Sequence, residues 1–133
     1  SGIAWTSIQS PTYGAFYSTQ TQTVTGAGVT TPIKLNSTYE AYNTEIYGGS
    51  GTSSRIRILT SGTYNVQFSA QINLANGNQT QKGDMWFRIN GVDVPQSNTE
   101  MSITGKDYQT VLALNFVSYF AANDYFEMVL QVY

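Results

Sequence analysis

Between Gly62 and Ala75 the chain alternates without a break. Tyr64, Val66, Phe68, Ala70, Ile72 and Leu74 are interleaved with Asn65, Gln67, Ser69, Gln71 and Asn73. Successive side chains of a strand point to opposite faces, so the pattern gathers six apolar groups on one face and five neutral polar groups on the other. Wound as a helix, the same residues would scatter both sets around the circumference. The run also exceeds the usual strand of about 5–6 residues. A long strand over 62–75, lying across a sandwich core, is therefore expected, with Phe68 inside and Gln67 outside. Thr60-Ser61-Gly62 supplies turn chemistry before it, and Asn76-Gly77-Asn78 supplies a stop after it.

The remaining segments follow the same logic. Residues 1–12, with Trp5 and Ile8 among Ser, Thr and Pro11, read as an arm or irregular lead-in. Tyr13 to Val24 reads as a first strand broken by Gly26 and Gly28, and Thr31 to Leu35 as a short strand that Pro32 confines to an edge. Residues 36–54 are turn-rich and end in a glycine–serine loop. Arg55 to Leu59 is a strand with Ile56 and Ile58 inward and both arginines outward. Met85, Phe87 and Ile89 face one way, and Trp86 and Arg88 the other. Asn90-Gly91 then marks a hairpin, because both central residues of a type I′ turn need positive φ. Val92 to Val94 is the return strand, and Glu100 to Thr104 is a short strand. Tyr108 to Phe120 is apolar on both faces. Ala121 to Asp124 is a turn, and Tyr125 to Tyr133 closes the chain with Phe126, Met128, Leu130 and Val132 as its core face. About eight antiparallel strands and no helical pattern imply one all-β domain over 13–133, a sandwich or jelly roll.

Composition agrees and excludes several functions. Thr, Ser, Asn and Gln make up 50 of the 133 residues, while charged residues are only 11%. That neutral polar and aromatic mixture suits sheets rather than helices. With a net charge of −2 and six scattered basic residues, nothing would neutralise a run of phosphates, so no nucleic-acid partner is expected. No apolar run approaches the roughly 18 residues that span a bilayer, so no membrane partner is expected either, and no signal-peptide pattern opens the chain.

The chain has no His and no Cys, which removes Ser-His-Asp triads, thiol nucleophiles and the His- or Cys-based zinc sites. The glycines of 48–51 lack the Lys-Ser/Thr of a phosphate loop. Carboxylates are the only acid–base candidates: Asp84, Asp93, Glu100, Asp107, Asp124 and Glu127. Each falls at a turn or on a polar strand face, so no catalytic residue, cofactor or metal is expected. A calcium site built from Asp84, Asp93 or Asp107 is the one conceivable exception, but no loop carries the spacing of such sites. Asn36-Ser37-Thr38 and Asn78-Gln79-Thr80 match the glycosylation pattern and read as loop chemistry. Tyr47 and Trp86 are the candidates for stacking on sugars, against the commoner role of such residues in packing or a subunit contact.

Three stretches carry a resemblance: Thr60 to Phe68, Trp86-Phe87-Arg88-Ile89-Asn90-Gly91, and Phe120-Ala121-Ala122-Asn123-Asp124-Tyr125-Phe126-Glu127-Met128. In this order they resemble the trimeric jelly rolls of the tumour necrosis factor and complement globular-head type, with Asn123 where that family usually has Gly. Tyr13-Gly14-Ala15-Phe16-Tyr17 and the Thr/Gln repeats after it look more specifically like jelly-roll domains of tailed-bacteriophage virion proteins. The resemblance implies a non-enzymatic virion protein that binds other capsid or tail proteins. A complete gene product of this length suits a capsid decoration (cement) or head-fibre protein. The alternative is the receptor-binding tip of a tail fibre, recognising host surface carbohydrate.

A homotrimer is expected from the last two strands. A lone sandwich needs one apolar face per strand, yet Val111, Val117 and Tyr119 lie opposite the core residues of 108–120. Tyr125, Val129 and Tyr133 do the same in 125–133. Large apolar patches commonly mark subunit contacts, and the resemblance sets the number at three; the alternative is that the N-terminal arm covers Val111, Val117 and Tyr119 through Trp5 and Ile8.

Overall fold

A computed structural model describes residues 11–24, 27–48, 53–73, 81–103 and 109–132 of the chain. They form eleven strands and no helix. These are β1 (Tyr13–Tyr17), β2 (Thr31–Pro32), β3 (Ser37–Tyr42), β4 (Thr44–Tyr47), β5 (Arg55–Ile58) and β6 (Gly62–Asn73), then β7 (Gln81–Ile89), β8 (Val92–Asp93), β9 (Thr99–Ile103), β10 (Gln109–Phe120) and β11 (Tyr125–Val132). All their pairings are antiparallel.

The alternation of 62–75 becomes β6, whose burial alternates as its sequence does: Val66 is buried, Tyr64, Phe68, Ala70 and Ile72 are half-buried, and the residues between them are exposed. Its partner is β10, in unbroken register from Gly62↔Phe120 to Asn73↔Gln109. Together they form a two-stranded ribbon that is one layer of the molecule. The other layer is the sheet β4-β5-β11-β7-β8, with β2 beside β11 and β9 beside β7. β1 and β3 form a separate pair.

The core lies between ribbon and sheet. The sheet contributes Ile58, Met85, Phe87, Met101, Met128 and Leu130, and the ribbon contributes Val66, Leu112, Leu114 and Phe120. Aromatic rings bridge the layers: Phe87 meets Phe116 at a centroid distance of 4.0 Å, and Phe120 meets Phe126 at 5.7 Å. Tilted rings at such distances add about 0.5–1.5 kcal/mol per pair beyond burial alone.

Several expectations shift. The turn-rich stretch 36–54 contains β3 and β4, whose residues are exposed or half-buried and so never needed the two-residue apolar period. The first strand ends at Tyr17 rather than Val24. The hairpin at Asn90-Gly91 holds: both residues have positive φ, 52° and 81°. Its return strand, β8, is only two residues long. The N-terminal arm falls outside the described residues except for Pro11 and Thr12.

Candidate functional site

The outward face of the ribbon is uncharged throughout. β6 presents Thr63, Asn65, Gln67, Ser69, Gln71 and Asn73, and β10 presents Gln109, Val111, Ala113, Asn115, Val117 and Tyr119. Val111, Val117 and Tyr119 are 68%, 66% and 63% exposed. Midway along this face the two smallest side chains, Ser69 and Ala113, are register partners. Their shortness leaves a shallow groove of about 450 Å³, lined by residues 67–69 and 113–115 of the ribbon alone, so it opens outward.

The outward face of the sheet is built differently. All three arginines of the chain lie on it, each over an aromatic ring: Arg55 is 4.6 Å from the centroid of Tyr125, Arg57 4.4 Å from Tyr47, and Arg88 5.9 Å from Trp86. Tyr47 and Tyr125 also tilt against each other at 6.0 Å. Arg57 is ion-paired with Glu45. Asp93 accepts from Arg88 Nε at 2.6 Å and from Trp86 Nε1 at 2.8 Å. Those two donors, Arg88 first, hold the Asp93 carboxyl below its ordinary pKa, because they favour the ionised form. Between Tyr47 and Arg55 lies a depression of about 220 Å³ that Ser53 and Ser54 also line. Ser54 Oγ donates to buried Glu127 at 2.6 Å.

The six expected interface residues therefore do not form one surface. Val111, Val117 and Tyr119 point outward from the ribbon, whereas Tyr125 and Val129 belong to the opposite face of the sandwich, because β10 and β11 lie in different layers. Tyr125 is half-buried between Arg55 and Tyr47. Val129 is fully buried between its register partners Trp86 and Pro32 and has no surface to offer a partner. Tyr133 lies outside the described residues. Tyr47 and Trp86 share the sheet's outward face, but each is already engaged by an arginine.

Sequence reasoning missed the tyrosines of the β1–β3 pair. Tyr39 is 79% exposed, and Tyr13 stacks on Tyr42 at 6.4 Å. The signal was available: ten tyrosines are more than one core can bury with their hydroxyls satisfied.

Most of the described carboxylates are engaged. Besides Asp93 and Glu127, Glu100 pairs with Lys82 at 3.8 Å, and Asp124 accepts from Ala121 N and Asn90 Nδ2. Asp107 lies outside the described residues. Among the described residues no three or more His, Cys, Asp or Glu come together to hold a metal ion. Compared with known proteins, the chain matches no family model and no curated protein.

Proposed function

We propose that this chain is a non-enzymatic structural and interaction module of a tailed-phage particle, a homotrimeric jelly roll serving as a capsid decoration or head-fibre protein. One observation carries the reading: the ribbon's outward face displays Val111, Val117 and Tyr119, each about two-thirds exposed, among nine neutral neighbours and no charge. Apolar patches depleted of charge mark subunit contacts. The two antiparallel layers around one core support the jelly-roll reading, and the resemblance of 60–68, 86–91 and 120–128 supports both the number three and the virion setting.

The sheet's outward face favours a second reading, a receptor-binding tip. Arginine, tyrosine and tryptophan dominate binding hot spots, and here they are stacked in fixed positions. In the first reading the same face would meet another virion protein.

Light scattering at micromolar concentration tests the assembly. A trimer is expected, and Tyr119→Lys should reduce it to monomers by placing a charge in the contact. A monomeric parent protein, or a Lys variant that trimerises normally, would refute the reading. A particle reconstruction then separates the settings, with density on the head shell for decoration and at the fibre end for a tip.

A further inference from the structure

We propose that Asn90 is a self-modification site, whose conversion to a carboxylate unlatches the β7–β8 hairpin from the turn between β10 and β11. Asn90 and Gly91 are the central residues of the hairpin turn, both exposed to water, with Ile89 and Val92 paired across it. Gly91 has no side chain to shield its backbone nitrogen. That nitrogen attacks Asn90 Cγ: an N–Cγ bond forms and closes a cyclic imide, and the Cγ–Nδ2 bond breaks. Nδ2 leaves as ammonia with the proton that Gly91 N gives up. Water then opens the imide at either carbonyl, leaving aspartate or isoaspartate. Amide and water have become carboxyl and ammonia, so no other reactant is needed.

The fold guards this amide at both ends. Nδ2 donates to Asp124 Oδ1 at 2.9 Å, and Oδ1 accepts from Tyr125 N at 3.1 Å. Turning Cγ onto Gly91 N breaks both bonds, so the reaction waits for the latch to open locally. The product cannot close it again. A carboxylate at 90 has no N–H to give and faces the Asp124 carboxylate across a hydrogen-bond distance. Isoaspartate also lengthens the backbone of a two-residue turn.

Peptide mapping by mass spectrometry, on protein held folded at neutral pH for weeks, reads the site directly. Residue 90 should convert, but more slowly than in urea. Asp124→Ala should speed it about tenfold, the order by which losing one acceptor shifts a local opening. Phe68→Ala, which loosens the core instead, should not. No conversion in the folded protein, a folded rate equal to that in urea, or equal acceleration by both variants would overturn the proposal.

Thermal melts test the latch itself. Asn90→Asp keeps the turn, since Asp-Gly suits type I′ as Asn-Gly does, and should lower the Tm by setting two carboxylates face to face. Asp124→Asn should lower it by setting two amide donors face to face. Combined, the changes should bring the Tm back toward the parent's, because the amide then stands at 124 and donates to the carboxylate at 90. An Asn90→Asp protein as stable as its parent, or a combined variant no better than the singles, would overturn it.

Discussion

Arg57 lies over the ring of Tyr47, 4.4 Å from its centroid, and not over Tyr125, which faces it directly across the β5–β11 register. Arg55 does the converse, passing over its own register partner Tyr47 to reach Tyr125. The two arginines are two residues apart on one face of β5, and their stems are long enough for the diagonal neighbours of adjacent strands. The two stacks join β5 to both of its neighbours, β4 through Tyr47 and β11 through Tyr125. The diagonal also leaves Arg57 free to hold Glu45, its register partner on β4.

Each stack is half-exposed, which places it near the lower range for such contacts, about 0.5–1 kcal/mol. Arg57→Ala and Tyr47→Ala, combined in a double-mutant cycle of urea unfolding, should show a coupling of that size. Arg57→Lys should lose most of it while keeping the charge beside Glu45. Zero coupling would mean that ring and guanidinium are merely neighbours.

Phe120 is fully buried and touches Tyr64, Phe116 and Phe126. Phe120→Ala should cost about 3–5 kcal/mol in denaturant unfolding. Phe68→Ala should cost less, because Phe68 is only half-buried under a two-stranded layer. Gln67→Ala, on the outward face, should stay within about 0.5 kcal/mol. Equal losses at 67 and 68 would contradict the face assignment.

These contrasts show what the residue order makes legible. β6 and one face of β10 could be read because each buries a single face, and a strand's period of two records that directly. β3 and β4 bury neither face fully, so burial wrote no period into 37–47. Val129, buried rather than available to a partner, departs from expectation for the opposite reason. Both faces of β11 are covered, one by the core and one along the sheet's outer side, and two apolar faces look the same whether neighbours or copies cover them. The crossed arginines needed the order β4-β5-β11, which joins segments about 70 residues apart and leaves no local trace.

Asp93 should titrate below an ordinary aspartate, because ionisation is stabilised by Arg88 Nε and then by the Trp86 indole. A folded pKa lower than the unfolded one gives stability that is present above the unfolded value and lost as pH falls through the folded value. The Trp86 indole proton should therefore hold its chemical shift from neutral pH down past the normal aspartate range and move only in stronger acid. Arg88→Gln should bring that transition to higher pH. An indole signal that moves at the ordinary aspartate pKa would show that the pair does not persist in solution.

No reducing ends should appear when the protein is incubated with host-surface polysaccharide, since Glu45, Asp93 and Glu100 are ion-paired, Glu127 accepts from the Ser54 hydroxyl and Asp124 holds a turn. Turnover that vanishes in an Asp→Asn or Glu→Gln variant would establish an enzyme.

The turn between β10 and β11 braces one end of the sandwich, and its conformation can be tested at Asn123. Asn123 has φ 75°, a left-handed conformation that Gly adopts freely, Asn tolerates, and a β-branched residue resists. Its N–H donates to Ile58 O at 2.7 Å, and Ile58 N donates back to Asp124 O at 2.9 Å, so the turn is tied to the end of β5. Asp124 adds a second tie: its carboxylate accepts from Ala121 N at 2.8 Å and from Asn90 Nδ2 at 2.9 Å. Asn90 Oδ1 in turn accepts from Tyr125 N at 3.1 Å, which joins the β7–β8 hairpin to the same point. Asn123→Gly should therefore be nearly neutral, and Asn123→Val should cost about 1–2 kcal/mol through the backbone alone. Asp124→Ala leaves two donors without their acceptor and should cost about 1–3 kcal/mol. Denaturant unfolding of the three variants ranks them. A Val variant as stable as the Gly variant would mean that residue 123 does not hold a positive φ, and the brace would have to be built another way.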